Sequence, residues 1–199
     1  MNDAGNQEVV LIRHAETEWS RTGRHTGRTD IPLTDEGRQA ARALEPRLRE
    51  WRFDRVLVSP LRRARETCEL SGLAATAEVR EDLAEWDYGD YEGLTTPEIH
   101  ARSPDWNLWC DGCPGGETPE QVGRRADRVI AELRSAPGEV AVFSHGHLLR
   151  VLGARWIDLP PSGGGRLALS AGAISVLGYE RATAVLQRWN DAGPAGGAA

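Results

Sequence analysis

Val9-Val10-Leu11-Ile12-Arg13-His14 decides how the rest of the chain is read. Four apolar residues in succession, without polar alternation, fit a strand buried on both faces. A cation and an imidazole placed where such a strand leaves its sheet lie at the carboxyl edge, where open α/β folds bind ligands. The pattern recurs in Arg55-Val56-Leu57-Val58, which runs into Ser59-Pro60-Leu61-Arg62. It recurs again in Glu139-Val140-Ala141-Val142-Phe143, which runs into Ser144-His145-Gly146-His147. Three buried strands that deliver arginines and histidines to one edge predict a pocket for an anion.

At 199 residues the chain fits one domain with one core. A net charge of −6 argues against a nucleic-acid partner, which requires a basic face. All 24 basic residues are arginine, so no lysine amine is available as a nucleophile. The three cysteines, Cys68, Cys110 and Cys113, make an odd set and no disulfide framework. Cys110-x-x-Cys113 has zinc or redox spacing but no second cysteine pair. The chain shows no leader-like apolar segment and no long apolar span, so a cytoplasmic protein without a membrane partner is expected. Oligomeric state is open, a homodimer included.

Strand and helix patterns alternate through residues 1–190, read as a single α/β domain, before a Gly/Ala/Pro-rich tail at 191–199 that is expected to be disordered. A helix is expected after Leu33, with Thr34 as its cap and Asp35 and Glu36 at the positive end of the dipole. Its buried stripe is Ala41, Leu44, Leu48 and Trp51, with a kink or break at Pro46. A second helix follows Val58, with Ser59 as cap and Pro60 in its first position, which sets Arg62 beside the strand end. Thr118-Pro119-Glu120-Gln121 is a capping box that opens a third helix, and a fourth runs from His147 towards Trp156. Residues 173–179 and 183–189 read as a hairpin, an antiparallel edge on a mostly parallel sheet. Residues 84–117 are rich in aromatics and glycine without a clean period and read as a cap over the active site.

The chemistry these residues allow is phosphoryl transfer. A neutral His14 can attack phosphorus and carry the phosphoryl group, provided cations neutralise the transferring charge. Arg13 and Arg62 suit that role because guanidinium forks match phosphoryl oxygens. His145, if protonated, adds a further donor. An acid must protonate the leaving oxygen; Glu85 is the first candidate and Asp87 the second. No metal or other cofactor is required.

Leu11-Ile12-Arg13-His14-Ala15-Glu16-Thr17-Glu18-Trp19 resembles the R-H-G-E-T-x-W signature of the histidine phosphatase superfamily, with Ala15 in place of the usual glycine. Ser59-Pro60-Leu61-Arg62-Arg63-Ala64-Arg65-Glu66-Thr67 resembles the second motif, S-P-L-x-R-A-x-E-T, in which the phosphate-binding arginine is assigned to Arg62. Ser144-His145-Gly146-His147 resembles the third, and Glu85 falls at the proton donor. The resemblance spans Leu11 to Arg150. It implies a phosphoglycerate-mutase-like three-layer α/β/α sandwich and a phosphomonoesterase acting on a small phosphorylated metabolite, such as a sugar phosphate or bisphosphate.

Within the superfamily the chain is similar to the sedoheptulose-1,7-bisphosphatase-type branch and to an actinobacterial acid-phosphatase branch. That likeness implies phosphate contacts from Thr26 and Gly27, and contacts to the rest of the substrate from Tyr88 and Arg150. Ser20, His147 and Gly172 complete the implied set. Phosphoglycerate mutases instead carry W-N after the first motif, where this chain has Trp19-Ser20, and a lysine near the proton donor. Hydrolysis is therefore favoured over mutase chemistry, with a protein phosphatase as a further alternative. A metalloprotein using His14, His145 and His147 is disfavoured, since Arg13 and Arg62 repel a cation. A binding module without turnover is disfavoured because every catalytic role is filled.

Overall fold

The three apolar runs lie side by side. β1 (Val9–Arg13) is parallel to β4 (Glu139–Ser144), β4 to β2 (Phe53–Val58), and β2 to β3 (Ala77–Val79). On the other flank β5 (Ile174–Glu180) runs antiparallel to β1, and β6 (Thr183–Asp191) is antiparallel to β5. The sheet order is β3-β2-β4-β1-β5-β6 in a computed structural model that describes residues 7–193.

Absence of polar alternation in β1 has a direct cause, because its successive side chains enter opposite layers. Val9 and Leu11 pack with Val122, Ala126, Leu148 and Leu152 of α6 (Pro119–Ser135) and α7 (Gly146–Trp156). Val10 and Ile12 pack with Leu44, Leu48, Ala64 and Cys68 of α2 (Asp35–Leu48) and α3 (Arg62–Leu70). The result is a three-layer α/β/α sandwich. Each fully buried Val, Leu or Ile contributes about 1.5–3 kcal/mol.

Register carries this core into the site. Arg13 pairs with Ser144, and Val58 pairs with Phe143. The ladder then runs one residue past the strands: His14 N donates to Ser144 O at 2.9 Å, and Ser59 N donates to Phe143 O at 3.0 Å. His14, Ser59 and His145 therefore leave the sheet together, at the carboxyl ends of parallel neighbours.

Local expectations met mixed outcomes. Thr34 caps α2, accepting from Gly37 N, and Thr118 with Gln121 forms the capping box of α6. The hairpin is β5–β6, with Arg181 at φ 59° in its turn. α2 runs unbroken through Pro46. The proline sits in the last turn on the exposed side, where only the bond to the Arg42 carbonyl is forfeited and water can replace it. The second helix begins at Arg62 rather than at Pro60, and Leu61 at its N-cap makes no side-chain bond. Ser59 Oγ lies 2.6 Å from His145 Nε2 instead of capping the helix.

Among the elements not anticipated are the short strand β3 and α1 (Glu18–Thr22), whose capping box pairs Thr17 with Ser20. Between 84 and 117 lie only α4 (Thr96–His100), α5 (Leu108–Asp111) and a 3-10 turn at Gly89–Tyr91. Asp191, expected in the tail, ends β6 and pairs with Arg47, while residues 194–199 lie outside the described residues.

Gly37, in the first turn of α2, is where the α2 layer meets the loop after His14. A Cβ there would stand 2.2 Å from the carbonyl oxygen of Glu16, a backbone atom that also accepts from Thr34 N. Gly37→Ala, which ordinarily stabilises a helix, is expected to destabilise this protein by about 1–3 kcal/mol. Chemical denaturation checks it, and unchanged or raised stability would refute the close approach.

Candidate active site

His14 is almost fully buried, and its ring lines a cavity of about 250 Å³ at the carboxyl edge of the sheet. Its Nδ1 lies 2.7 Å from the carbonyl oxygen of Ala15, so Nδ1 carries the proton and the lone pair resides on Nε2. Burial, then the charges of Arg63 and Arg13, hold this imidazole well below the usual histidine range. Ala15 meets the motif without strain: its φ is not positive, and its N–H donates to Thr67 Oγ1 at 3.1 Å. Thr67, from the second motif, thus supports the loop behind the nucleophile.

Arg13 lines the same cavity and donates from Nη1 to Leu169 O at 2.5 Å. Its Nε is, among the described residues, the one buried side-chain polar atom without a partner. Gly146 leaves room for it, since a Cβ there would come within 3.2 Å of Arg13 Nε and Cζ. Arg62 does not join this group. Its side chain is 57% exposed, beside Glu66, in a separate cleft between α2 and α3.

Arg63 takes the inward place and is fully buried. Its Nε donates to His145 Nδ1 at 3.1 Å, and its Nη atoms donate to the carbonyls of Thr26, Gly27 and Thr29. The physical reason is the later helix start: each residue turns the helix by about 100°, so the first turn aims Arg63 inward and Arg62 outward. The signal was present in the sequence, because the fixed arginine of S-P-L-x-R-A falls on Arg63.

His145 is buried 5.2 Å from the His14 ring, centroid to centroid. Because Nδ1 accepts from Arg63, the ring is the neutral Nε2–H tautomer donating to Ser59 Oγ. Burial and then Arg63 hold it well below the usual range. The arrangement therefore favours a neutral His145 and does not meet the condition, protonation, under which a further donor was expected; both its nitrogens are engaged by protein.

Glu85 sits at the N-terminus of α7. Its Oε1 accepts from Trp86 N and Leu148 N, both at 2.9 Å, and its Oε2 accepts from His147 N at 3.0 Å. Helix N-termini favour such an acceptor, and Oε2, with one donor, keeps a free lone pair. Arg125, which sequence reasoning missed, holds the segment that carries Glu85. Its five N–H groups go to the carbonyls of Asp82, Ala84 and Glu85 and to both oxygens of Glu117. Glu117 also accepts from Asp87 N. Asp87 itself pairs with Arg28 at the surface and is absent from the cavity lining.

Tyr88 and His147 form one unit at the cavity wall: the buried Tyr88 hydroxyl and His147 Nδ1 share a hydrogen bond of 2.5 Å. Arg150 also lines the cavity, with Nε on Gly164 O and its guanidinium 4.4 Å above the Trp109 ring. Thr26 and Ser20 line it too, although Ser20 Oγ is occupied by the α1 cap. Gly27 and Gly172 do not offer the backbone contacts expected of them. Glu92 takes the Gly27 N–H, and the Gly172 N–H donates to His14 O at 3.1 Å, bracing the nucleophile from behind. His25 and Arg24, not singled out as site residues, line the cavity as well. No cluster of three or more potential metal ligands occurs among the described residues.

Comparison with known proteins places the chain in a family. The family model described as "Histidine phosphatase superfamily (branch 1)" matches residues 9–192. An acid phosphatase of Mycobacterium tuberculosis is 45% identical over 179 residues, covering 88% of each chain. A sedoheptulose 1,7-bisphosphatase of Saccharomyces cerevisiae is 38% identical over 182 residues, 75% of this chain and 67% of its own. The solved structure of an open reading frame from Mycobacterium tuberculosis superposes with a TM-score of 0.89 at 43% identity, over 94% of this chain and 98% of that one. With the motifs, the sandwich and the buried histidine pair in one place, the chain belongs to the histidine phosphatase superfamily, branch 1, as a phosphoric monoester hydrolase.

Proposed function

We propose that the chain hydrolyses a small phosphorylated metabolite of the sugar-phosphate kind, through a phosphohistidine on His14 and without a metal ion. The observation that carries this reading is the Nδ1–H bond from His14 to the Ala15 carbonyl, which leaves Nε2 as a neutral nucleophile in a cavity walled by Arg13.

In the first step Nε2 attacks phosphorus and the bond from phosphorus to the leaving oxygen breaks. That oxygen takes a proton from Glu85 Oε2. In the second step water attacks the phosphohistidine, its proton returns to Glu85, and the N–P bond breaks to free phosphate and restore His14. Arg13, with its unpartnered Nε, and the buried charge of Arg63 offset the phosphoryl charge. Residues 84–117 act as the cap. The names of the acid phosphatase and the sugar bisphosphatase among its relatives support the substrate class.

His14→Ala is expected to reduce kcat at least 10⁴-fold, on the order of what removing a nucleophile costs, and to abolish acid-labile, hydroxylamine-sensitive labelling. Retained turnover in EDTA is expected of the parent enzyme, and near-normal rates in His14→Ala would end the mechanism. Glu85→Gln is expected to slow alkyl phosphates about 10²–10⁴-fold while sparing p-nitrophenyl phosphate, whose phenolate needs little protonation. Arg125→Lys, a change at a positioning residue, is expected to show the same split in weaker form. Equal losses on both substrates would mean that it only holds the fold.

The buried histidines also set a pH response. His14, His145 and His147 are all depressed, chiefly by burial. Below about pH 6.5 the unfolded chain binds protons that the folded chain does not, so stability is full above that pH and declines as pH falls. His14→Asn is expected to flatten the slope of unfolding free energy against pH, between 6.5 and 5, by up to about 1.4 kcal/mol per unit. Urea denaturation across that window measures it, and an unchanged slope would mean that His14 is not held neutral.

A further inference from the structure

Beside the phosphoryl cavity lies a second chamber of about 210 Å³, which shares His25, Thr96 and His147 with it as a common wall. The two differ sharply in charge. The first is walled by Arg13, Arg24 and Arg150 with Glu85, whereas the lining of the second holds no arginine and no carboxylate. Its own surfaces come from Trp106, Asn107, Trp109 and neighbouring α4–α5 residues.

Its rings are held edge-on to one another. His25 meets Trp106 at 5.7 Å and 85°, and Trp109 meets His147 at 5.3 Å and 61°. The two histidines of the shared wall are uncharged in character, since burial lowers both. Arg150 is stacked on Trp109 and tied to the Gly164 carbonyl at the boundary between chambers, and His100, the third histidine of the annex lining, donates its Nε2–H to the Trp106 carbonyl at 2.9 Å. The two volumes jointly fall within the range of about 300–1,000 Å³ usual for small-molecule sites.

We infer that this annex receives the leaving group of the substrate, and that it selects an uncharged ring over a second phosphate. The inference rests on the phosphomonoesterase reading and sharpens its substrate class. Aromatic faces offer a flat ring apolar area and edge-to-face contact, whereas a phosphate dianion placed there loses water without gaining a guanidinium. A cyclic alcohol monophosphate, aromatic or sugar, fits both chambers. A bisphosphate fills the first and strands its second charge.

The test uses alkyl leaving groups of similar basicity, so that the ring rather than the activation of the bond is read. Benzyl phosphate is expected to exceed glycerol 3-phosphate at least 10-fold in kcat/KM, mainly through KM. A hexose 6-phosphate is expected to match or exceed the hexose 1,6-bisphosphate. Asn107→Asp keeps a side chain able to cap α5, which Asn107 does by accepting from Trp109 N, and puts a carboxylate on the annex wall. It is expected to leave the benzyl-to-glycerol ratio high and to lower the rate on the bisphosphate further. Benzyl preferred over hexose 6-phosphate identifies an aromatic ring as the ligand, and the reverse identifies a sugar ring; either supports the annex. Glycerol 3-phosphate or the bisphosphate preferred over the ring monophosphates overturns the annex alone, and hydrolysis of none of the esters removes the phosphomonoesterase reading together with it.

Discussion

A neutral imidazole buried between two guanidinium groups is the arrangement on which the rest of this protein depends. Desolvation and both neighbouring charges oppose a second proton on a histidine in that position. The remaining proton is fixed on Nδ1 by the Ala15 carbonyl, which leaves Nε2 free. The charge of the nucleophile thus follows from burial beside two cations, and its tautomer and direction from one buried contact. The cost of desolvating Arg13 and Arg63 falls on the fold, and carbonyls from Leu169, Thr26, Gly27 and Thr29 offset it.

The sheet supplies the rigidity this requires. His14 and Ser59 continue the backbone ladder past the ends of β1 and β2, and α7 starts at Gly146, directly after β4 and His145. A site built on strand ends and a helix N-terminus loses little entropy on binding an anion, since its donors are already ordered. The acid is treated in the same way. Glu85 lies on an irregular segment, yet three backbone N–H groups hold its carboxylate and Arg125 spends every N–H on the chain around it. Proton transfer needs a fixed donor as much as phosphoryl transfer needs a fixed nucleophile.

Arg62 and Arg63 show where local reading fails. Both follow the same strand in the same motif, and the choice between them depends on where the helix starts. A Ser-Pro pair reads as a cap followed by the first helical residue, but His145, 86 positions away from Ser59 in the chain, engages the serine hydroxyl. The helix then starts two residues later, and the inward face passes to Arg63. Gly27 and Gly172 teach the same lesson, because Glu92 and His14 O claim their N–H groups from distant segments. Arg125 carried no signal at all, since an arginine on an amphipathic helix reads as solvated surface.

What the sequence alone determined is the three buried parallel strands β1, β2 and β4 and the polar residues at which they leave the sheet. Uninterrupted apolar runs can be satisfied only by burial on both faces, and the polar residue that ends each run must lie at the sheet edge. That reasoning located His14, Arg13, His145 and, through the motif, Glu85. Tertiary structure alone decided tautomer and hydrogen-bond engagement: which nitrogen of His14 and His145 carries the proton, and which backbone donors are already taken. Those properties depend on desolvation and on hydrogen-bond partners far along the chain, and neither exists until the layers have closed.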